Sequence, residues 1–292
     1  MYNNTITQTS LKMLKLLNYE VVEPVKKELA CGDVGDGALA DVNDIFYKTA
    51  QTLLEDQFWI NRRVVVTGGG TIEKIDDVRY ISNFSSGKMA ASLSTALYLK
   101  GADVCLITTK ESDILPTAIY QIAVESSDEL HEYLVDAIRV AKKGVLTKAT
   151  LMDDSVPELI QKKPYLFMAA AVSDYKPKYP QEGKLKKEMI GDVWNLELAK
   201  NRDILKSVDK EGIFSVGFKA ETDKESGTNC AKDMLVKKEL DAVCLNYVSD
   251  HAFGSDTNAI TLFTKDDEID LGVSSKLDIS LKLIEKLSEI SE

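Results

Sequence analysis

The residues best suited to chemistry gather first between Arg63 and Leu106. Val64, Val65 and Val66 read as a buried strand, Gly68, Gly69 and Gly70 as a turn, and Ser85, Ser86 and Gly87 as the start of a helix. A strand, a glycine turn and a helix start together suit an anion, because N–H groups converge there and no Cβ blocks close approach. Two standard phosphate motifs are absent. Glu73 stands where G-x-G-x-x-G needs its third glycine, and Ser82 and Met89 replace the first glycine and the Ser/Thr of a Walker loop around Gly87-Lys88. On these residues alone, an anion site and a plain βαβ turn of a doubly wound sheet both stand.

A second group ends the apolar run YLFMAAAVSDY, which reads as a buried strand finishing at Asp174. Ligands of open α/β sheets collect at strand carboxyl ends, so Ser173 and Asp174 should face the same crevice as the glycine turn. KPKYPQEGKLKKEM follows, with no periodicity, and reads as a mobile lid or an ordinary solvated loop. His131 and His251 are the only histidines, which leaves little material for a zinc hydrolase or a Ser-His-Asp triad. The four cysteines show no metal spacing, and Cys105 and Cys244 sit in apolar runs as core thiols.

The elements that must position these groups alternate strand and helix. Met89, Leu93, Ala96 and Leu97 share one helical face, Gly101 closes that helix, and a strand begins at Val104. Further on come a strand near Tyr120–Val124, a helix over Asp128–Ala141 and a helical insertion over 144–163. FSVGFKAET reads as a strand, the stretch from Glu221 as a helix and strand, TNAITLF as the final strand, and SSKLDISLKLIEKLSEI as an amphipathic helix. Residues 1–60 give a helix, a short strand at Tyr19–Val22, a glycine loop and a helix from Val42, too little to bury a core alone. The 292 residues are 44% apolar with net charge −11, which argues against a general nucleic-acid role. No apolar run approaches the ~20 residues of a membrane span, and MYNNTITQTS lacks signal-peptide character, so a cytoplasmic protein with no membrane partner is expected.

GGGTIEKIDDVRYISNFSSGKM closely resembles the signature of phosphopantothenoylcysteine synthetase, the ligase of coenzyme A biosynthesis. That family carries a GGT turn, a D-x-V-R-x-I-S/T-N segment and SSGKMG, the last glycine being Ala90 here. AAVSDY with K-x-K-K (Lys184, Lys186, Lys187), LAKNRDIL with Arg202 for proline, GFKAET and FGSDTN follow in the family's order. ELACGDVGDGALA resembles a loop of the flavin-dependent decarboxylase that many bacteria fuse upstream of the synthetase.

The resemblance implies an α/β, Rossmann-like, doubly wound and mostly parallel sheet with a mobile lysine-rich lid. Residues 61–292 would be the ligase domain and residues 1–60 an inactive decarboxylase remnant, loosely attached or partly disordered, whose motif cysteine is Cys31. FMN would belong only to a decarboxylase body upstream of Met1. The implied reaction joins 4′-phosphopantothenate to L-cysteine through an acyl-cytidylate, with CTP and Mg²⁺, in a homodimer. By resemblance Asn83 and Lys184 are catalytic. Gly68, Gly69, Gly70, Ser85, Ser86, Gly87, Asp174, Lys184, Arg202, Asp203, Ile204, Leu205, Phe218 and Lys238 would hold the nucleotide. Met234 stands where a second lysine is often found, and metal ligands stay unassigned. Base choice is not readable from these residues, and the decarboxylase-like segment favours CTP. Two rivals are a non-catalytic scaffold on the same fold and a Rossmann oxidoreductase. The missing third glycine and Thr108–Thr109, where an acidic residue would end the second strand, oppose the oxidoreductase.

Overall fold

The computed structural model describes residues 2–17, 19–28, 32–112, 115–146, 157–186, 188, 191–247 and 254–291. In chain order the main elements begin with α1 (Thr5–Leu16), α2 (Val42–Leu54), β1 (Arg63–Gly68), α3 (Lys88–Leu99), β2 (Asp103–Thr108), β3 (Tyr120–Ala123) and α4 (Ser127–Ala141). Then follow β4 (Tyr165–Met168), α5 (Ile204–Ser207), β5 (Phe214–Glu221), α6 (Lys224–Lys237), β6 (Ala242–Tyr247), β7 (Thr257–Phe263), β8 (Glu268–Ser275) and α7 (Lys276–Ser291).

The eight strands form one sheet in the order β8-β7-β6-β5-β4-β1-β2-β3. From β3 to β6 all neighbours run parallel, and β7 and β8 add an antiparallel edge. Central parallel strands are covered on both faces, which is why Val64–Val66 of β1 and all of β4 are apolar. Leu93 and Leu97 of α3 pack with Leu283 and Leu287 of α7 on one face. Leu130 and Leu134 of α4 and Ala231 and Leu235 of α6 belong to the core on the other. The chain therefore has the expected α/β, doubly wound and mainly parallel architecture. It leaves β1 for β2 and β3, then returns to β4 on the opposite side of β1. That reversal is the switch point at which such sheets bind ligands.

Helix α3 is bounded by backbone geometry. Gly87 sits at φ +72° as its N-cap. Gly101, at φ +88°, ends it: the Gly101 N–H reaches Tyr98 O at 2.9 Å and the Ala102 N–H reaches Leu97 O at 3.0 Å. These paired bonds satisfy the last carbonyls, and only glycine takes that left-handed position without strain.

Five expectations are corrected. Strand β4 stops at Met168 rather than Asp174, because Ala170 N–H turns to Thr67 Oγ1 at 3.3 Å and Ala171 bridges to Gly70. The described ends of the 144–163 insertion, Val145–Leu146 and Leu159–Ile160, are a pair of short antiparallel strands and not a helix; residues 147–156 lie outside the described residues. TNAITLF is not the last strand, since Asp267 N–H closes a turn on Thr264 Oγ1 at 2.9 Å and β8 returns beside β7. Tyr19–Val22 is not a strand; the extended pair is Val25–Glu28 with Val34–Ala38, the second strand lying within the stretch expected as a glycine loop. Helix α1 buries no residue, but α2 is docked rather than loose: Gln51 Nε2 donates to Tyr98 O at 2.8 Å and Thr117 Oγ1 to Asp44 Oδ1 at 2.8 Å.

The approach of α3 to β1 is tight. A Cβ on Gly68 would lie 2.4 Å from the Ala90 Cβ. Replacing Gly68 with Ala should therefore cost about 1–3 kcal/mol through overpacking. Adding Ala90→Gly should return most of it, less the ~1 kcal/mol or under of helix propensity that glycine forfeits. Urea unfolding of the two single variants and the double variant checks this coupling.

Candidate active site

Beyond β1 the glycine turn is built for contact between backbones. Gly69 takes φ +80°, and its carbonyl accepts the Ala171 N–H at 2.8 Å. A Cβ on Gly70 would lie 2.4 Å from Asn83 O. The turn thus brings two segments together, the one after β4 and the one that carries Asn83. Gly68, Gly69 and Gly70 themselves do not line the cleft that results.

That cleft, of about 840 Å³, opens at the carboxyl-terminal parts of β4, β5 and β6 and at the start of α3. Its volume falls within the roughly 300–1,000 Å³ usual for small-molecule and cofactor sites. Of the residues singled out in the sequence, Asn83, Ser85, Ser86, Gly87, Asp174, Arg202, Asp203, Ile204, Leu205, Phe218 and Lys238 all line it. Asn83 Nδ2 donates to Val172 O at 3.0 Å, which ties the side chain to the opposite wall. Ser85, Ser86 and Gly87 form the entry to α3, whose first N–H groups and positive dipole end suit an anion.

The 201–205 segment is held from beneath by a buried polar knot. Asn201, 8% exposed, donates through Nδ2 to Ser127 Oγ at 2.7 Å, Ser173 O at 3.0 Å and Glu73 Oε1 at 3.4 Å. Its own N–H reaches Asp174 O at 2.7 Å. Glu73, 4% exposed, also accepts the Ser127 N–H at 3.2 Å, at the positive start of α4. Glu73 occupies the position of the missing third glycine, so the departure from G-x-G-x-x-G has a structural use here.

Several charged groups face the cleft. Asp203 caps α5 by accepting the Lys206 N–H at 3.1 Å and pairs with Lys238 Nζ at 3.2 Å. Ile204 and Leu205 are buried and anchor that turn in the core. Arg202 Nη1 lies 3.1 Å from His131 Nδ1, and burial followed by the Arg202 charge pushes the His131 pKa down. Phe218 is half-buried and packs against the core at the end of β5. Met234, standing where the resembled family often carries a second lysine, lines the wall, with its Cε 2.7 Å from where a Gly217 Cβ would be. Lys219 and Lys276 also line the cleft and were not singled out in the sequence. Lys276 Nζ donates to Ser255 O, and burial followed by the charge of Lys88 lowers its pKa. No local pattern marks Lys276; only the return of α7 past the cleft reveals it.

Lys184 is exposed and does not line the cleft. Its segment is strapped to the tip of the hairpin formed by Ile72–Lys74 and Tyr80–Ser82. Gly183 N–H reaches Asp77 Oδ2 at 2.9 Å and Leu185 N–H reaches Asp76 Oδ2 at 3.2 Å. Lys186 is exposed, while Lys187 and Cys31 lie outside the described residues. Among the described residues no three His, Cys, Asp or Glu side chains come together as a metal site. No helix among them is long and apolar enough to cross a membrane.

An open, mainly parallel α/β sheet with a charged cleft at its switch point defines a Rossmann-like ligand-binding protein. The chain belongs to the family of the DNA/pantothenate metabolism flavoprotein C-terminal domain, whose model matches residues 59–151 and 140–290. The flavoprotein family model matches residues 1–54. The chain is 35% identical over 282 residues to the coenzyme A biosynthesis bifunctional protein CoaBC of Vibrio cholerae, covering 94% of this chain and 64% of that protein. It therefore spans just under two thirds of that relative's length. To the protein of the same name from Bacillus subtilis it is 31% identical over 301 residues, covering 100% of this chain and 68% of that one. The crystal structure of the C-terminal domain of a CoaBC protein superposes with a TM-score of 0.59 at 25% identity, covering 80% of this chain and 98% of that one. A Cab2 mutant in complex with phosphopantothenate-cysteine shares the fold, with a TM-score of 0.57 at 15% identity over 85% of this chain and 92% of that one.

The knot under the 201–205 segment can be tested by itself. Asn201→Ala should orphan Ser173 O and remove a donor from Glu73, at about 1–3 kcal/mol of stability. Chemical denaturation measures the loss.

Proposed function

We propose that the chain joins 4′-phosphopantothenate to L-cysteine, using CTP and passing through an acyl-cytidylate. The observation that carries this reading is the meeting, on one cleft, of Asn83, the α3 entry, Asp174, the 202–205 turn, Phe218 and Lys238. These come from five separate stretches of sequence. Membership of the family supports the same reading.

An unactivated carboxylate resists attack by an amine. The phosphopantothenate carboxylate oxygen therefore attacks the α-phosphorus of CTP, and the bond to pyrophosphate breaks. The cysteine amine then attacks the acyl carbon, loses a proton, and CMP departs with the carboxylate's former oxygen. Both steps depend on position and on charge neutralisation. At 4 Å two unit charges repel by about 4 kcal/mol at an effective dielectric near 20, so cations must offset the approach of carboxylate to triphosphate. Arg202, Lys238 and Lys276 supply them from the walls, and the α3 entry supplies N–H donors. Mg²⁺ would enter with the nucleotide as a hard cation that prefers oxygen ligands, and Asp174 on the cleft wall would contact it or the nucleotide. When bound, Mg²⁺ neutralises phosphate charge.

Asn83 is neutral and both donates and accepts, which suits it to hold the acyl-cytidylate for the amine. The Ile204–Leu205 turn and Phe218 seat the base. Lys184 sits on an exposed arm whose backbone is tied to the hairpin tip, and its side chain reaches over to the reacting phosphoryl group, in an enzyme that works as a cytoplasmic homodimer. A non-catalytic scaffold would bind CTP without turnover, and a Rossmann oxidoreductase would prefer NADH.

Pyrophosphate release with CTP and phosphopantothenate tests the reading, with ATP and NADH as controls; no release with either nucleotide would contradict it. In rapid-quench experiments Lys184→Gln should lower acyl-cytidylate formation at least 100-fold, in the range seen on removing one transition-state donor. Asn83→Asp should let the intermediate form and accumulate. Equal yields from both variants would show the two roles to be wrongly assigned.

A further inference from the structure

The tip of the Ile72–Ser82 hairpin does more than turn the chain, and one carboxylate organises it. Asp76 is 2% exposed, and its two oxygens have separate partners. Oδ1 accepts the N–H groups of Val78 at 2.9 Å and Arg79 at 2.7 Å, which closes the tip turn. Oδ2 accepts Arg79 Nε at 3.0 Å, Arg79 Nη2, and the Leu185 N–H at 3.2 Å. Arg79 Nη2 also donates to Leu185 O at 3.1 Å, and the guanidinium lies 4.6 Å from the centre of the Trp194 ring.

The strap continues on the other side of Lys184. Gln181 N–H reaches Ile75 O at 2.9 Å, and Gly183 N–H reaches Asp77 Oδ2 at 2.9 Å. The backbone is thus fixed on both sides of a lysine whose own side chain is exposed. None of Asp76, Arg79 and Leu185 lines the cleft. An Asx turn alone needs only one acceptor oxygen, and asparagine would serve it. The second, charged oxygen is spent on Arg79 and on the lysine segment. The Arg79 hydrogen bonds hold the Asp76 carboxyl well below the usual carboxylate range, so the charge that makes the strap is present throughout the neutral range and is lost only far into acid.

We propose that Asp76 is the positioning residue of the Lys184 arm: through Oδ2 it sets where the lysine is presented, without touching substrate itself. This rests on the reading of Lys184 as the group that stabilises the reacting phosphoryl. A lysine on an untethered loop would have to be ordered at every turnover, and a pre-tied one has that ordering built into the fold.

Asp76→Asn is the discriminating variant, made in the full chain. It keeps an acceptor for the Val78 and Arg79 N–H groups and places an NH₂ against the three donors that face Oδ2. We expect acyl-cytidylate formation in a single turnover to slow at least ten-fold, with the Kd for CTP within two-fold of wild type. Trypsin cleavage after Lys184 and Lys186 should quicken at least five-fold. An unchanged or faster rate would overturn the proposal. So would a loss of CTP affinity in step with the rate, since that is what general structural damage does. If Asp76→Asn does not fold, Leu185→Pro, which deletes the N–H donor from the other side, is read by the same rate and affinity criteria, with trypsin cleavage followed after Lys186 alone because trypsin does not cut before proline. If wild type forms no acyl-cytidylate, the functional reading fails on its own. The trypsin comparison still judges the strap, and unchanged cleavage rejects it.

Discussion

The closeness of α3 to the end of β1 is the constraint on which the rest of the site depends. Ala90 fills the space a Gly68 side chain would need, with 2.4 Å between the two Cβ positions. The helix can therefore start immediately beside the carboxyl end of this central strand, and its N–H groups open into the crevice. The same glycine turn lets Asn83 pass over Gly70 and lets Ala171 bridge to it. Three walls of the cleft are thus fixed by backbone contact, which leaves their side chains to the ligand. Close packing of this kind moves little, and each added methyl is felt.

Global and local charge point in opposite directions. The chain carries a net charge of −11, but Arg202, Lys219, Lys237, Lys238 and Lys276 look into one cleft. At physiological salt, exposed charges are screened beyond about 8 Å, so distant acidic surface does little against cations set in a concave wall. Some of these cations are already paired. Lys238 is shared with Asp203, and Lys237 with Asp233 at 2.5 Å. An arriving phosphate would compete with carboxylates already in place, which limits how strongly simple anions are held.

Much of the fold was legible because central parallel strands and their helices state their period plainly. β1, α3, β2, α4 and α7 fall close to where apolar spacing and Gly101 place them. The errors have local physical causes. Strand β4 ends early because Thr67 and Gly70 capture the backbone of Ala170 and Ala171, an interaction between distant segments that no window of sequence contains. The alternation of Ile269, Leu271 and Val273 with Glu268, Asp270 and Gly272 marks β8 plainly, and it was the reading of TNAITLF as the final strand that missed it. For the site, most residues carried by motifs line the cleft. The exceptions are the glycines, whose work is close approach, and Lys184, whose arm is bound to the hairpin tip. Lys276 and Asn201 were overlooked, since their roles arise from chain segments that meet only in the folded sheet.

The central claim is that the switch-point cleft takes a nucleoside triphosphate with its phosphates at the α3 entry. A crystal structure of the chain with CTP and Mg²⁺ tests it most directly. The account predicts phosphate oxygens within hydrogen-bond reach of the N–H groups around Ser86–Lys88, with the base against Ile204, Leu205 and Phe218. CTP bound elsewhere, or in the cleft with its phosphates turned away from α3, would contradict it.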